Sequence, residues 1–470
     1  MNLTNLTIKQ AHQGLKNGDF TSVDLTKAYL EKIKKSDLNT FITVAEELAL
    51  QQAEEADKKI KTGDFGMLCG IPCAIKDNIL IKDIKCTAAS KILENYVAPY
   101  DATVIARLKA EGAVFLGKAN LDDSAMGASG ETSVFGATKN PHDKTRVPGG
   151  TSSGSVAAVT AGESIYALGS DTGGSIRQPA SFCGIVGFSP TYGAVSRYGL
   201  VAHASSLDQI GPIAKNVEDC KIVFEAISGK DKMDATSVDY KFEELKINLE
   251  GLKIGVPKEY FAKGLEPEVE KIIRNAIKKA ESAGAKIIEI SLPSTEYALA
   301  CYYIIGPSEI SANLARLDGI KYGLSEKGRD LLDVYLKSKG HGFGTEIKRR
   351  IMLGTYSLSS GYYDAYYKKA QEVRQLVRQD FSKAFEKVDL LFCPVSPFPA
   401  FKLGEKLDDP LLMYLADIYT IPLKLAGLPG LSMPAGKTEA GLPVGLQIIG
   451  NHFEENKILA IAQEMEKKLT

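Results

Sequence analysis

The stretch Ile165-Tyr166-Ala167-Leu168-Gly169-Ser170-Asp171-Thr172-Gly173-Gly174-Ser175-Ile176-Arg177-Gln178-Pro179 decides how this chain is read. Its first five residues are a small apolar run, the signature of a buried strand. The glycines that follow let the backbone turn tightly and approach a ligand. A helical stretch is expected to begin near Ser175, and the free N–H groups at such a start can stabilise a developing oxyanion. A serine at that position is well placed as a nucleophile.

The same alternation of short strand and helix recurs on both sides. Asp101 is expected to cap a helix that carries Val104, Ile105 and Leu108 on one face, with Gly112 ending it and Ala113 to Leu116 forming a buried strand. Pro267 opens a helix with a stripe of Val269, Ile273, Ala276 and Ala280. Gly284 stops it, and Lys286 to Ile290 reads as a strand. Short apolar strands between helices predict an α/β fold with a large mixed, mostly parallel central sheet covered by helices on both faces. Residues 6–62 read as helical, with Thr21 to Asp24 opening one helix. Residues 225–250 read as a polar surface connection and 300–390 as tyrosine-rich helices. Strand signals return at Leu390 to Pro394, Gly430 to Pro434 and Val444 to Ile449. The expected organisation is one domain over 1–470, with N-terminal helices in 1–62, a catalytic core in 63–224 and the helical segment 300–390 inside it.

Composition bounds the function. With 470 residues, 44% of them hydrophobic, the chain can bury a large core. A formal net charge of -1 gives no basic footprint for extensive nucleic-acid binding. Seven cysteines are scattered without a CxxC, so they read as buried small hydrophobes and no metal site is expected. The start, Met1-Asn2-Leu3-Thr4, opens a polar amphipathic helix, and no apolar run approaches a membrane span, which predicts a soluble, cytoplasmic protein.

A serine hydroxyl needs a base to take its proton. None of the five histidines lies in a motif. Lys76 is the better candidate, because it ends the apolar run Ile71-Pro72-Cys73-Ala74-Ile75, and burial lowers a lysine pKa. A hydroxyl relaying between Lys76 and Ser175 is available in a second loop, Gly149-Gly150-Thr151-Ser152-Ser153-Gly154-Ser155. A Gly-rich loop also suits phosphate, but no GxxxxGK[ST] occurs there.

Lys76, the Gly-Gly-hydroxyl loop and the Gly-Ser-Asp-Thr-Gly-Gly-Ser-Ile-Arg-Gln-Pro run resemble the amidase signature family over nearly the whole chain. The resemblance implies that family's fold, Ser175 as the acyl-enzyme nucleophile, Lys76 as the base, and N–H groups of Thr172, Gly173 and Gly174 in the oxyanion site. The family's relay hydroxyl, held by a cis peptide bond, falls on Thr151, a threonine where the family has serine. Ser152 is the other candidate, and Ser153 stands where the family has glycine. The segments 313–323, 349–356, 359–367 and 417–422 further resemble the glutamine-hydrolysing subunits of the tRNA-dependent amidotransferases. Residues 120–127 resemble that group's Asn-Met-Asp-Glu-Phe-Ala-Met-Gly, with Asp123 for glutamate and Ser124 for phenylalanine.

This narrower resemblance implies a glutaminase in which Arg350 takes the α-carboxylate and Asp417 the α-amino group of glutamine. It also implies a heterotrimer with two partner subunits, B and C. The first of these partners would hold the misacylated tRNA, ATP and Mg²⁺ and use the ammonia to convert Glu-tRNA(Gln) or Asp-tRNA(Asn), so this chain itself needs no cofactor. A stand-alone amidase and an inactive scaffold are the other readings. Retained Lys76 and Ser175 speak against the scaffold.

Overall fold

The structure is a computed structural model and describes residues 2–469. One sheet of 11 strands runs through it in the order β1-β3-β2-β4-β6-β5-β10-β11-β9-β7-β8. The strands are β1 (Phe41–Val44), β2 (Pro72–Lys76), β3 (Val114–Ala119), β4 (Tyr166–Asp171), β5 (Val186–Ser189), β6 (Gln209–Ala214), β7 (Lys253–Pro257), β8 (Lys286–Ile290), β9 (Leu390–Pro394), β10 (Gly430–Lys437) and β11 (Pro443–Ile449). Helices separate most of them, as the alternation in the sequence predicts.

The sheet is mixed, and its parallel part is narrower than that alternation suggests. Parallel pairing is confined to β3-β2-β4 and to β9-β7-β8, while the other six pairings are antiparallel. The reason lies in the connections. Parallel neighbours need a long crossover. β2 reaches its parallel neighbour β3 through the helix Thr103–Ala110, whereas β10 and β11 are joined by a turn at Gly441 and must pair antiparallel.

The central strands are buried on both faces. Every residue of β2, β3 and β4 is buried, and apart from Lys76, Lys118 and Asp171 they read as apolar or small runs. The helix Ser22–Lys35 starts as expected. The Thr21 side chain accepts from Asp24 N while Asp24 accepts from Thr21 N, a reciprocal capping box. Two local expectations change. Residues 6–62 contain the strand β1 between two helices, because Phe41 to Val44 finds an edge of β3 to pair with. Asp101 does not cap the next helix. That helix, Thr103–Ala110, is preceded by Ala102, and the Asp101 carboxylate instead takes Lys82 N and Lys109 Nζ. Residues 228–252 carry no helix or strand, and the segment after 298 is helical, with Ala298–Asn313, Leu331–Gly342, Thr345–Leu358 and Lys369–Phe385. No helix among the described residues is long and apolar enough to cross a membrane.

Candidate active site

Because β2 and β4 are parallel neighbours, their carboxyl ends share one edge of the sheet. Lys76 ends β2 and Asp171 ends β4. The loop before the helix Ser153–Ala161 folds over the same edge. Three sequence-distant pieces thus meet at one point.

There Lys76 Nζ lies 2.7 Å from Thr151 Oγ1, 3.0 Å from Ser152 Oγ and 3.2 Å from Ser170 O. Lys76 is wholly buried. Burial pushes its ammonium down to about 7, against the upward pull of Asp122, Asp171 and Asp208. The two hydroxyls beside it differ in what their protons do. Ser152 Oγ donates to Ser170 O at 3.2 Å. Among the described residues Thr151 Oγ1 has no acceptor apart from the lysine, so its proton is free to move. The peptide bond Gly150–Thr151 is cis.

The second loop is tied to the first. Ser152 N donates to Ser175 O at 3.0 Å. Gln178 Oε1 accepts from Gly150 N at 3.0 Å, and its Nε2 donates to Ala128 O at 2.9 Å. Ser175 is the one residue from Ser170 to Gln178 that is not fully buried. Its hydroxyl makes no hydrogen bond with a described residue, so the contact between Ser175 and Thr151 that a proton relay needs is not closed here. The N–H groups of Thr172, Gly173, Gly174 and Ser175 meet no acceptor among the loop and turn hydrogen bonds of the described residues. They remain available to an oxyanion. The helix that follows is Arg177–Cys183, two residues later than the sequence suggests.

A buried ion pair supports this loop. Arg177 Nε and Nη2 reach Asp171 Oδ2 and Oδ1 at 3.0 and 3.1 Å, and Nη1 reaches Gln447 Oε1 at 2.7 Å. Burial pushes the Asp171 carboxyl up, but Arg177 and Lys424 hold it below its ordinary value. Thr172 Oγ1 donates to Asp208 Oδ1 at 2.6 Å. Sequence pattern alone assigns no role to Asp122, Asp171, Arg177, Gln178 or Asp208. Three of them stand in the opening motif, where polar residues among glycines were the available signal. Asp122 and Asp208 are isolated acids whose burial depends on distant packing. Ser153, the departure from glycine, fits because Gly130 opposes it. A Cβ on Gly130 would lie 2.5 Å from Ser153 Cβ.

Arg350 comes from the helical segment, and Asp417 follows it in the chain. Asp417 lies beside the nucleophile loop, its Oδ1 3.0 Å from where a Cβ on Gly174 would stand. That oxygen is buried without a partner among the described residues. Burial drives the Asp417 carboxyl well above its ordinary range and Asp171 adds to this, while Arg177 and Arg350 pull it back. Arg350 is 3% exposed, lies over the rings of Tyr303 and Tyr414, and gives Nε to Glu346 Oε1 at 2.8 Å. Its two Nη groups donate to no described residue. Tyr302 also closes on the loop, its hydroxyl 2.8 Å from where a Cβ on Gly173 would stand. All seven cysteines are buried and unbridged, and no group of three or more His, Cys, Asp or Glu among the described residues could hold a metal ion.

Residues 24–459 match the family model described as Amidase. The chain is 56% identical to the A subunit of the glutamyl-tRNA(Gln) amidotransferase of Thermoanaerobacter pseudethanolicus, covering 99% of this chain and 97% of that one. It superposes on the crystal structure of the A subunit of the Thermotoga maritima glutamyl-tRNA(Gln) amidotransferase with a TM-score of 0.83 and 44% identity, covering 99% of this chain and 95% of that one. The native peptide amidase of Stenotrophomonas maltophilia aligns with a TM-score of 0.84 at 28% identity, over 99% of this chain and 97% of that one.

Proposed function

The chain belongs to the amidase family, and from that premise we propose that it is the glutaminase component of a glutamyl-tRNA(Gln) amidotransferase, hydrolysing glutamine through Ser175, Thr151 and Lys76. The observation that carries the reading is a buried lysine, pushed down to about 7, 2.7 Å from a hydroxyl with a free proton. A neutral amine accepts the Thr151 proton as Thr151 takes the Ser175 proton. Ser175 Oγ then bonds to the carboxamide carbon, and the carbonyl oxygen takes the negative charge among the N–H groups of residues 172–175. Collapse of this adduct breaks the C–N bond. The proton returns from Lys76 through Thr151 to the leaving nitrogen, and ammonia departs. Water then attacks the acyl-enzyme by the same route and releases glutamate.

Recognition of glutamine needs one cation and one anion. Arg350, with two unengaged Nη groups, suits the α-carboxylate in a bidentate pairing, and the unpartnered Asp417 Oδ1 suits the α-ammonium. Two partner subunits, B and C, complete the enzyme, and ATP and Mg²⁺ are used on the first of them. The helical segment supports a partner, since it exposes Leu331, Leu332, Leu336 and Met352, each at least 60% accessible. The test is ammonia release from glutamine by the chain alone and with both partners. Turnover that appears or rises with the partners is expected. Turnover of simple amides with none of glutamine in either state overturns the reading in favour of a stand-alone amidase.

A further inference from the structure

A cavity of ≈ 300 Å³ opens beside Arg350, lined by Asp123, Glu346, Arg349, Arg350, Lys406 and Tyr414 among mostly apolar neighbours. Its charged groups are nearly all committed. Glu346 takes Arg350 Nε and the Tyr414 hydroxyl, each at 2.8 Å, and pairs with Arg349. Lys406 lies 4.4 Å over the ring of Phe398. Besides the buried Ser129 Oγ, which has no partner among the described residues, two charged functions are left over. One is the pair of Arg350 Nη groups. The other is Asp123 Oδ2, an oxygen of a side chain only 3% exposed that has no hydrogen-bond partner among the described residues. The other Asp123 oxygen receives Ser124 Oγ, at 3.1 Å. Ser90 and the Gly344 N–H lie near enough to favour the charged carboxylate, but neither completes a hydrogen bond to Oδ2.

A buried carboxyl oxygen without a donor costs folding free energy and calls for a ligand that brings one. An unengaged guanidinium edge in the same cavity calls for an anion. A molecule with an ammonium and a carboxylate a few atoms apart answers both. We propose that this cavity is an antechamber to the glutamine site, in which Asp123 binds the ammonium of a free α-amino acid whose carboxylate rests on Arg350. The proposal rests on the glutaminase reading and adds to it a specificity residue outside the reactive pose. Burial pushes the Asp123 carboxyl up to about 7, so an arriving ammonium is the partner that would hold it ionised.

The experiment uses the Ser175→Ala protein with its partner subunits, so that glutamine binds without turnover. Stopped-flow mixing measures the association rates of glutamine and of 4-carbamoylbutanoate, which lacks only the α-ammonium, before and after Asp123→Asn and Asp123→Leu, with calorimetry for the equilibrium affinities. Glutamine is expected to associate about tenfold more slowly in both variants while 4-carbamoylbutanoate is unchanged, the effect of one lost charge-assisted hydrogen bond in the antechamber, and its equilibrium affinity changes little because Asp417 takes the ammonium in the reactive pose. Equal slowing of both ligands, or of neither, overturns the role of Asp123. Asp123→Asn, nearly identical in shape, keeps the test valid should the leucine variant misfold. No glutamine binding with Asp123 intact overturns the glutaminase reading itself, a different result from binding that ignores Asp123.

Discussion

The two halves of the site are built on opposite rules. At the reactive end the side chains that hold the two loops are satisfied, and what stays open among the described residues is the Ser175 hydroxyl and the N–H groups of residues 172–175 that face the reacting atoms. Asp171 takes Arg177 twice and Ile176 N, Arg177 adds Gln447 and Thr420 O, and Lys76 has three partners. At the recognition end, groups of equal burial are left open. Asp417 Oδ1 and Asp123 Oδ2 have no partner among the described residues. Each such orphan costs about 1–3 kcal/mol of stability. The chain bears that cost where a ligand would offset it, and avoids it where atoms must not move. A saturated network fixes geometry for proton transfer, and an unsatisfied one creates affinity and selectivity.

Substitutions at the reactive end should therefore lower turnover, and those at the recognition end should lower affinity. The largest effect is expected for Ser175→Ala. It should cut glutamine turnover by about 10⁴-fold or more while ammonia-dependent amidation by the complex persists. Loss of both, measured side by side, would break the division of labour. Next is Asp171→Asn. Removing one partner of a buried ion pair costs about 3–5 kcal/mol, so urea unfolding should shift strongly. A shift under about 1 kcal/mol, the range of a surface pair, would show that the network does not stiffen the loop.

Thr151→Val should lower kcat about 100-fold, within the usual range for a proton-transfer group, with KM little changed, while Thr151→Ser stays near the parent. If Ser152→Ala is the damaging change instead, the relay belongs to Ser152. Arg350→Gln belongs to the other side of the comparison. It should raise the glutamine KM by about tenfold or more, the worth of a charged hydrogen-bond pair, with a smaller change in kcat. An unchanged KM would remove Arg350 from the recognition end.

The same contrast explains what was legible in the sequence. Lys76, Thr151, Ser152 and Ser175 lie in two short glycine-rich loops and one strand end, where residue type and local backbone nearly define the arrangement. Strand-helix alternation likewise carried the large mixed sheet. Pairing direction was harder, because it depends on where a returning chain docks, as when β10 lands antiparallel on β5. The four-residue strand β1 was hidden between two helices for the same reason. The recognition end is assembled from positions 123, 350 and 417. Glu346 and Arg350 have the i, i+4 spacing of an ordinary exposed helix pair. What separates them from one is burial under Tyr303 and Tyr414, which no local pattern carries.

The finest test of the reactive end is its pH dependence. Lys76 must be neutral to accept a proton. Glutamine kcat/KM should therefore fall as pH drops below about 7, approaching tenfold per unit, because the ammonium held there is no base. The stability sign follows from proton counts. Between about 7 and the ordinary 10.5 the unfolded chain carries a proton on this lysine that the folded chain does not. Stability then rises with pH across that window by up to about 1.4 kcal/mol per unit. Below about 7 both states hold the proton, and the penalty for burying the ammonium is fully present. Lys76→Met should remove this contribution to the slope and raise stability at about pH 6 relative to the parent while eliminating turnover. A parent whose rate is flat from about pH 6 to 8, or a methionine variant with an unaltered stability slope, would mean that the lysine keeps its charge despite burial. The reactive end would then be an electrostatic site and not a basic one.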